Sequence, residues 1–209
     1  MGHVIAAVGT IGAGKTSLVK ALAQAFNDAS VLFYDNYEQS SKGSVDEMIR
    51  WMRDGADIND LDITRFAADL SKLKSGEVAT DPLTLVEIPP KKYIFIEMPL
   101  GKEHKSAAPY IDLLIWIDTP PDIALARKIK EFTGFFLREN KESEGHNFVA
   151  WLYQYLDNYL RATRELLEIQ RERVGRNADI ILDGRCDFAA MLQQAVNRIH
   201  HFLDSTERA

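Results

Sequence analysis

An apolar run, Val4 to Val8, ends in Gly9-Thr10-Ile11-Gly12-Ala13-Gly14-Lys15-Thr16-Ser17, and a helical pattern carried by Leu18 and Leu22 begins at once. The segment fits G-x-x-x-x-G-K-[ST] with a strand before it and a helix after it, the context that gives the motif physical meaning. It commits the start of the chain to a strand, a tight loop and a helix. Successive N–H groups of such a loop turn inward as an anion nest, the helix adds its positive N-terminal end, and glycines let the backbone approach phosphate oxygens closely. Gly9 to Ser17 is therefore the expected binding segment for ATP. Lys15 is placed to contact the β- and γ-phosphates, and the Thr16 hydroxyl to ligate Mg²⁺.

Short apolar runs recur at Val31 to Tyr34, Tyr93 to Ile96, Leu113 to Ile117 and Asp179 to Leu182. With the first run they read as five buried strands. Longer segments of helical period lie between them: Leu18, Leu22, Ala25 and Phe26, then Leu61, Phe66, Leu70 and Leu73, and finally Met191, Ala195, Ile199 and Phe202. Such alternation predicts an α/β fold, a three-layer sandwich with a five-stranded parallel sheet between helices. At 209 residues and 46% hydrophobic content the chain reads as one domain with a single substantial core. Two connections exceed a simple crossover. Residues of about 36–92 read as a substrate flap, and those of about 127–147 contain a polar stretch, Phe132 to Asn147, without clear periodicity, a candidate lid. The aromatic series Phe148, Trp151, Leu152, Tyr155 and Tyr159 has helical spacing and reads as a core-facing stripe.

A net charge of -6 argues against duplex nucleic acid or an acidic membrane as the main partner. Cys186 is the sole cysteine, so the fold must stand without an intrachain disulfide. Met1-Gly2-His3 leads straight into a strand, and no apolar run approaches the roughly 20 residues of a membrane span. The expectation is a cytoplasmic protein acting on a small hydroxylated molecule, compatible with assembly into a homo-oligomer.

In a parallel sheet, ligands bind beyond the carboxyl ends of the strands. Asp35 directly follows the second run, where a base would meet an acceptor hydroxyl; the same position suits a turn-capping carboxylate. Tyr37, two residues on, either stacks on a substrate or packs the flap. Glu97 follows the third run, the place from which an acid reaches the metal; it also suits a solubilising strand end. Asp118 reads first as a turn residue before Pro120-Pro121. The cations Arg127, Lys128, Lys130, Arg138 and Lys141 stand against only Glu131 and Glu139 in that stretch. They read equally as a closing lid that neutralises a transferring phosphoryl group and as a solvated helix face. From Asp35 to Asp69 there are nine acids and four bases, which disfavours a phosphorylated acceptor.

These features in this order resemble the uridine kinase and phosphoribulokinase group of phosphate-loop kinases. Gly9 to Ser17 matches the phosphate loop, and Asp35-Asn36-Tyr37 resembles the acidic segment whose Asp is the family's base. Ile96-Glu97 resembles the Glu-Gly pair after the third strand, Leu125-Ala126-Arg127-Lys128-Ile129 the helix leading to the lid, and Asn177 to Ile181 the last strand. Met98 stands where the family has glycine, Glu131-Phe132 where a basic-acidic pair is common, and Asp81 to Glu87 shows no clear counterpart of the family's substrate hairpin. The resemblance implies a P-loop NTPase fold and γ-phosphoryl transfer from Mg-ATP to a hydroxyl, with a nucleoside as acceptor. Lys15, Asp35 and Arg127 would be catalytic, and Thr16 and Glu97 would organise the metal. A nucleotide or vitamin-precursor kinase, or an ATP-binding regulatory module, are the alternatives.

Overall fold

The computed structural model describes residues 2–37, 44–138 and 145–206. Five parallel strands form one sheet in the order β2-β5-β1-β6-β7: β1 His3–Gly9, β2 Ala29–Phe33, β5 Tyr93–Glu97, β6 Leu113–Asp118 and β7 Ile180–Asp183. β1 lies at the centre, with Ala6 registered against Ile96 on one side and Leu114 on the other. Its residues alternate between two cores. Val4, Ala6 and Val8 join Phe66, Leu70 and Leu73 of α3 (Thr64–Ser75), while Ile5 and Ala7 join Leu18 and Leu22 of α1 (Lys15–Ala25) and Ile199 of α7 (Phe188–Thr206). A sheet covered on both faces needs apolar residues at nearly every strand position, which is why these strands read as continuous runs. The expected α/β/α sandwich is present.

The long connection after β2 differs from a flap of one piece. It contains α2 (Val45–Arg53), started by a capping box between Ser44 and Glu47, but its second helix, α3, is a layer of the body. Phe66 is 1% exposed and meets Tyr34 and Tyr37 edge-on at 5.5 and 5.3 Å, so the α3 core also supports the turn that carries Asp35. Phe66→Ala is expected to cost about 3–5 kcal/mol in a urea denaturation series, the usual loss for a buried phenylalanine. A cost below about 1 kcal/mol would contradict this packing. After α3, residues 79–80 (β3, Ala79–Thr80) and 87–88 (β4, Glu87–Ile88) pair as an antiparallel hairpin. The segment thus forms a hairpin, although its residues show no clear counterpart of the family's.

The expected aperiodic lid also differs. α4 runs from Pro121 to Arg138, well into that stretch, and α5 begins at Gly145; the remainder of the lid expectation, with Glu139 and Lys141, lies outside the described residues. Aromatic residues hold the pair together. Phe132 lies edge-on to Trp151 at 4.8 Å and to Tyr155 at 5.2 Å, and Phe136 stacks on Phe148 at 4.5 Å. The aromatic stripe therefore faces α4 instead of the core, and only Tyr159 at its end is fully buried. α5 (Gly145–Asn158) passes through a wide π-type turn, Tyr159–Thr163, into α6 (Arg164–Arg173).

Candidate active site

The loop between β1 and α1 takes the conformation its glycines permit. Gly12 and Gly14 have φ of 78° and 99°, in the left-handed region. A Cβ on Gly12 would lie 2.1 Å from the Ala124 carbonyl oxygen, so the start of α4 rests directly on the loop. The first-turn N–H groups of α1, at Lys15, Thr16 and Ser17, have no acceptor within a helix, and no acidic side chain stands in that turn to offset the positive end. Within the loop the Thr10 carbonyl accepts from the Ala13 N–H at 3.1 Å and from Lys15 Nζ at 3.2 Å. The Thr10 hydroxyl is buried without a hydrogen-bond partner, an unsatisfied group that suits a cradle awaiting a polar ligand.

Three strand ends converge here. Thr16 Oγ1 donates to Glu97 Oε2 at 2.7 Å, and Lys15 Nζ stands 3.9 Å from Glu97 Oε1. Burial lowers the Lys15 pKa, against the opposing pull of Glu97 and Asp35. Burial likewise raises the Glu97 carboxyl, although Thr16 and Lys15 favour its ionised form and Asp35 disfavours it. Asp35 itself is exposed, on the turn Tyr34–Asn36 that directly follows β2. The Lys15, Thr16, Glu97 and Asp35 side chains thus occupy the carboxyl edge of β1, β5 and β2. Mg²⁺ takes oxygen ligands and is commonly held by one or two protein oxygens together with substrate phosphates and water. The Thr16 hydroxyl and Glu97 carboxylate fit that need.

Neighbours of Asp35 fix its turn. Asn36 Nδ2 donates to Asp81 Oδ2 at 2.6 Å, and the buried Asp81 carboxylate also accepts the Leu83 and Thr84 N–H groups at the hairpin. Tyr37 packs: its hydroxyl donates to the buried Asp69 at 3.1 Å, and burial together with Asp69 pushes the phenol pKa up. Asp118 is a strand-end residue paired with Arg171 at 3.0 Å.

Arg127, expected as a cation of the charge clamp, is anchored to the backbone. Its guanidinium donates to the Gly184 carbonyl at 3.0 Å, tying α4 to the turn after β7. Among the described cations of this stretch, the charge of Lys128 acts on Lys15; its ammonium lies 3.1 Å from Glu131 and 4.7 Å from the centre of the Phe132 ring. Glu131 stands at helical spacing from both cations, and only the i,i+4 aromatic Phe132 is particular to Lys128.

No family model matches the chain. It is 24% identical to a uridine kinase of Latilactobacillus sakei, over 98% of this chain and 96% of that one. It is 27% identical to a uridine kinase of Chlamydia pneumoniae, over 87% and 81%. Among solved structures it is similar to a possible uridine kinase from Bacillus stearothermophilus, with a TM-score of 0.53, 15% identity and coverage of 88% and 90%. A shikimate kinase from Acinetobacter baumannii is similar to the same degree, with a TM-score of 0.53, 17% identity and coverage of 98% and 95%. The structural likenesses speak for the fold, and the sequence relatives, matched along most of their length, for the lineage. On that footing the chain is uridine kinase-like in sequence and has the fold of the phosphate-loop kinases.

Proposed function

We propose that this chain transfers the γ-phosphoryl group of Mg-ATP to a hydroxyl of a nucleoside, with uridine as the leading acceptor. The observation that carries the reading is the junction of three strand ends, where Thr16 bonds Glu97, Lys15 lies beside Glu97, and Asp35 acts on both charges. The relatives named uridine kinase support the choice of acceptor. So does the acidic excess from Asp35 to Asp69, which is poorly suited to a phosphorylated acceptor.

In this reading the loop amides of Gly9 to Ser17 and Lys15 hold the β- and γ-phosphates. Thr16 and Glu97 hold Mg²⁺, which when bound neutralises phosphate charge. Asp35 accepts the proton of the acceptor hydroxyl as its oxygen bonds to the γ-phosphorus and the bond to the bridging oxygen breaks, leaving ADP. Lys128 supplies a lid charge that acts on Lys15. Arg127 serves the site through its bond to Gly184, holding α4 over the loop and against the turn after β7.

The test is product identification by mass spectrometry with Mg-ATP and a panel of nucleosides, nucleoside monophosphates and vitamin alcohols. The expected result is a nucleoside monophosphate, formed from uridine with kcat/KM at least about tenfold above that of any monophosphate or vitamin alcohol. Preference for UMP would make the chain a nucleotide kinase. Bound ATP with no phosphorylated product would make it a regulatory module.

A further inference from the structure

Gln170, in the interior of α6, is used by none of the steps above, yet its side chain reaches the two backbone segments that build the site. Its Nε2 donates to the Pro99 carbonyl at 2.8 Å and approaches the Gly9 carbonyl at 3.5 Å. A carboxamide nitrogen carries two hydrogens, so one group can serve both carbonyls. Pro99 lies two residues beyond Glu97, and Gly9 is the last residue of β1. We infer that Gln170 is a positioning residue that staples the start of the phosphate loop to the segment carrying Glu97, and so sets the loop geometry for nucleotide binding.

The route from Gln170 to the phosphates is short. The Gly9 carbonyl shares a rigid peptide plane with the Thr10 N–H. The Thr10 carbonyl in turn holds Ala13 N–H and Lys15 Nζ. Gly9 is also the last β1 residue in register with β6, opposite Ile117, so Gln170 acts where the sheet pairing ends and the loop begins.

The helix that carries Gln170 is itself anchored on both sides of the site. Arg171 pairs with Asp118 at the end of β6. Arg173 donates to the Gly55 and Ala56 carbonyls at 2.8 and 2.6 Å, just past the end of α2, and Arg161 pairs with Asp46 at the start of α2 at 2.9 Å. Ala56 holds a left-handed φ of 50°, a conformation costly for a residue with a Cβ and secured here by these contacts. The π-type turn sets which residues reach inward. The Arg164 N–H bonds the Tyr159 carbonyl five residues back, so one extra residue is taken up in the turn. Without it every later side chain would be rotated by about 100°, and Gln170 would point away from both carbonyls.

The inference rests on the kinase reading for its consequence but is tested apart from it. Hydrogen–deuterium exchange of the nucleotide-free protein is compared for wild type, Gln170→Ala and Gln170→Glu, the last nearly isosteric but without donors. Segment 9–17 is expected to exchange at least about threefold faster in both variants while α7 is unchanged. Affinity for Mg-ATP, by calorimetry, should fall about tenfold, the worth of one to two net hydrogen bonds, with Gln170→Glu the worse because a carboxylate then faces two carbonyls. The acceptor KM should stay within twofold. Unchanged loop exchange, or a rise spread evenly over the chain, overturns the inference. Failure of wild type to bind Mg-ATP would overturn the kinase reading, while the exchange data would still decide the role of Gln170.

Discussion

Asp35→Asn is expected to lower acceptor-dependent turnover by about two to four orders of magnitude, the range over which a positioned general base contributes. Affinity for Mg-ATP should remain within a few fold. The two effects separate because Asp35 lies on the turn after β2 and makes no bond to the loop, although its charge acts on Lys15 and Glu97. Asparagine keeps the size of the side chain and leaves in place the Asn36 to Asp81 bond that fixes the turn. It cannot accept the hydroxyl proton. Measured as kcat under saturating ATP, a fall of this size with unchanged nucleotide binding assigns the base. Normal turnover in this variant would remove Asp35 from the mechanism.

Gly12→Val is expected to have a comparable effect by an unrelated route. At a φ of 78° any side chain is strained, and the new Cβ would sit 2.1 Å from the Ala124 carbonyl oxygen. A backbone atom at the start of a helix cannot swing aside as a flexible side chain does. Either the loop or α4 must move, and a displacement of about 1 Å at a phosphate site is enough to cost about 100-fold. We therefore expect kcat/KM for ATP to fall by at least about two orders of magnitude. The thermal midpoint should drop as well, because α4 loses its seat. Gly14→Ala is the useful comparison: nothing lies within 4 Å of its added Cβ, so only the left-handed φ of 99° opposes it. A smaller loss there would separate crowding against α4 from backbone strain. Equal losses would assign the whole effect to φ.

The parts of this molecule that were legible in the sequence are those whose pattern is imposed by burial or by phosphate chemistry. Val4 to Val8 read as a strand because both faces of the sheet are covered, and Gly9 to Thr16 read as a phosphate loop because few other residues fit that geometry. Asp35 and Glu97 were legible as site candidates because each directly follows an apolar run in the sequence, near the strand ends where a parallel sheet places its ligands. The β3-β4 hairpin was not visible, since two residues per strand are too few to show alternation. α4 was cut short in the sequence reading because its charges hid Phe132 and Phe136, which are four residues apart and find their partners in α5. Gln170 could not be found at all from sequence. A glutamine within a helix has no motif, and its reach depends on one extra residue in the turn at Tyr159–Thr163.

The most direct test of phosphoryl transfer at this loop is ³¹P NMR of wild type and Lys15→Ala with Mg-ATP, with and without uridine. The account predicts that wild type converts the γ-phosphate signal into a phosphomonoester in step with ADP, only when uridine is present. In Lys15→Ala the conversion should fall to the level without enzyme. Inorganic phosphate in place of the ester, or an ester formed equally by Lys15→Ala, would contradict it.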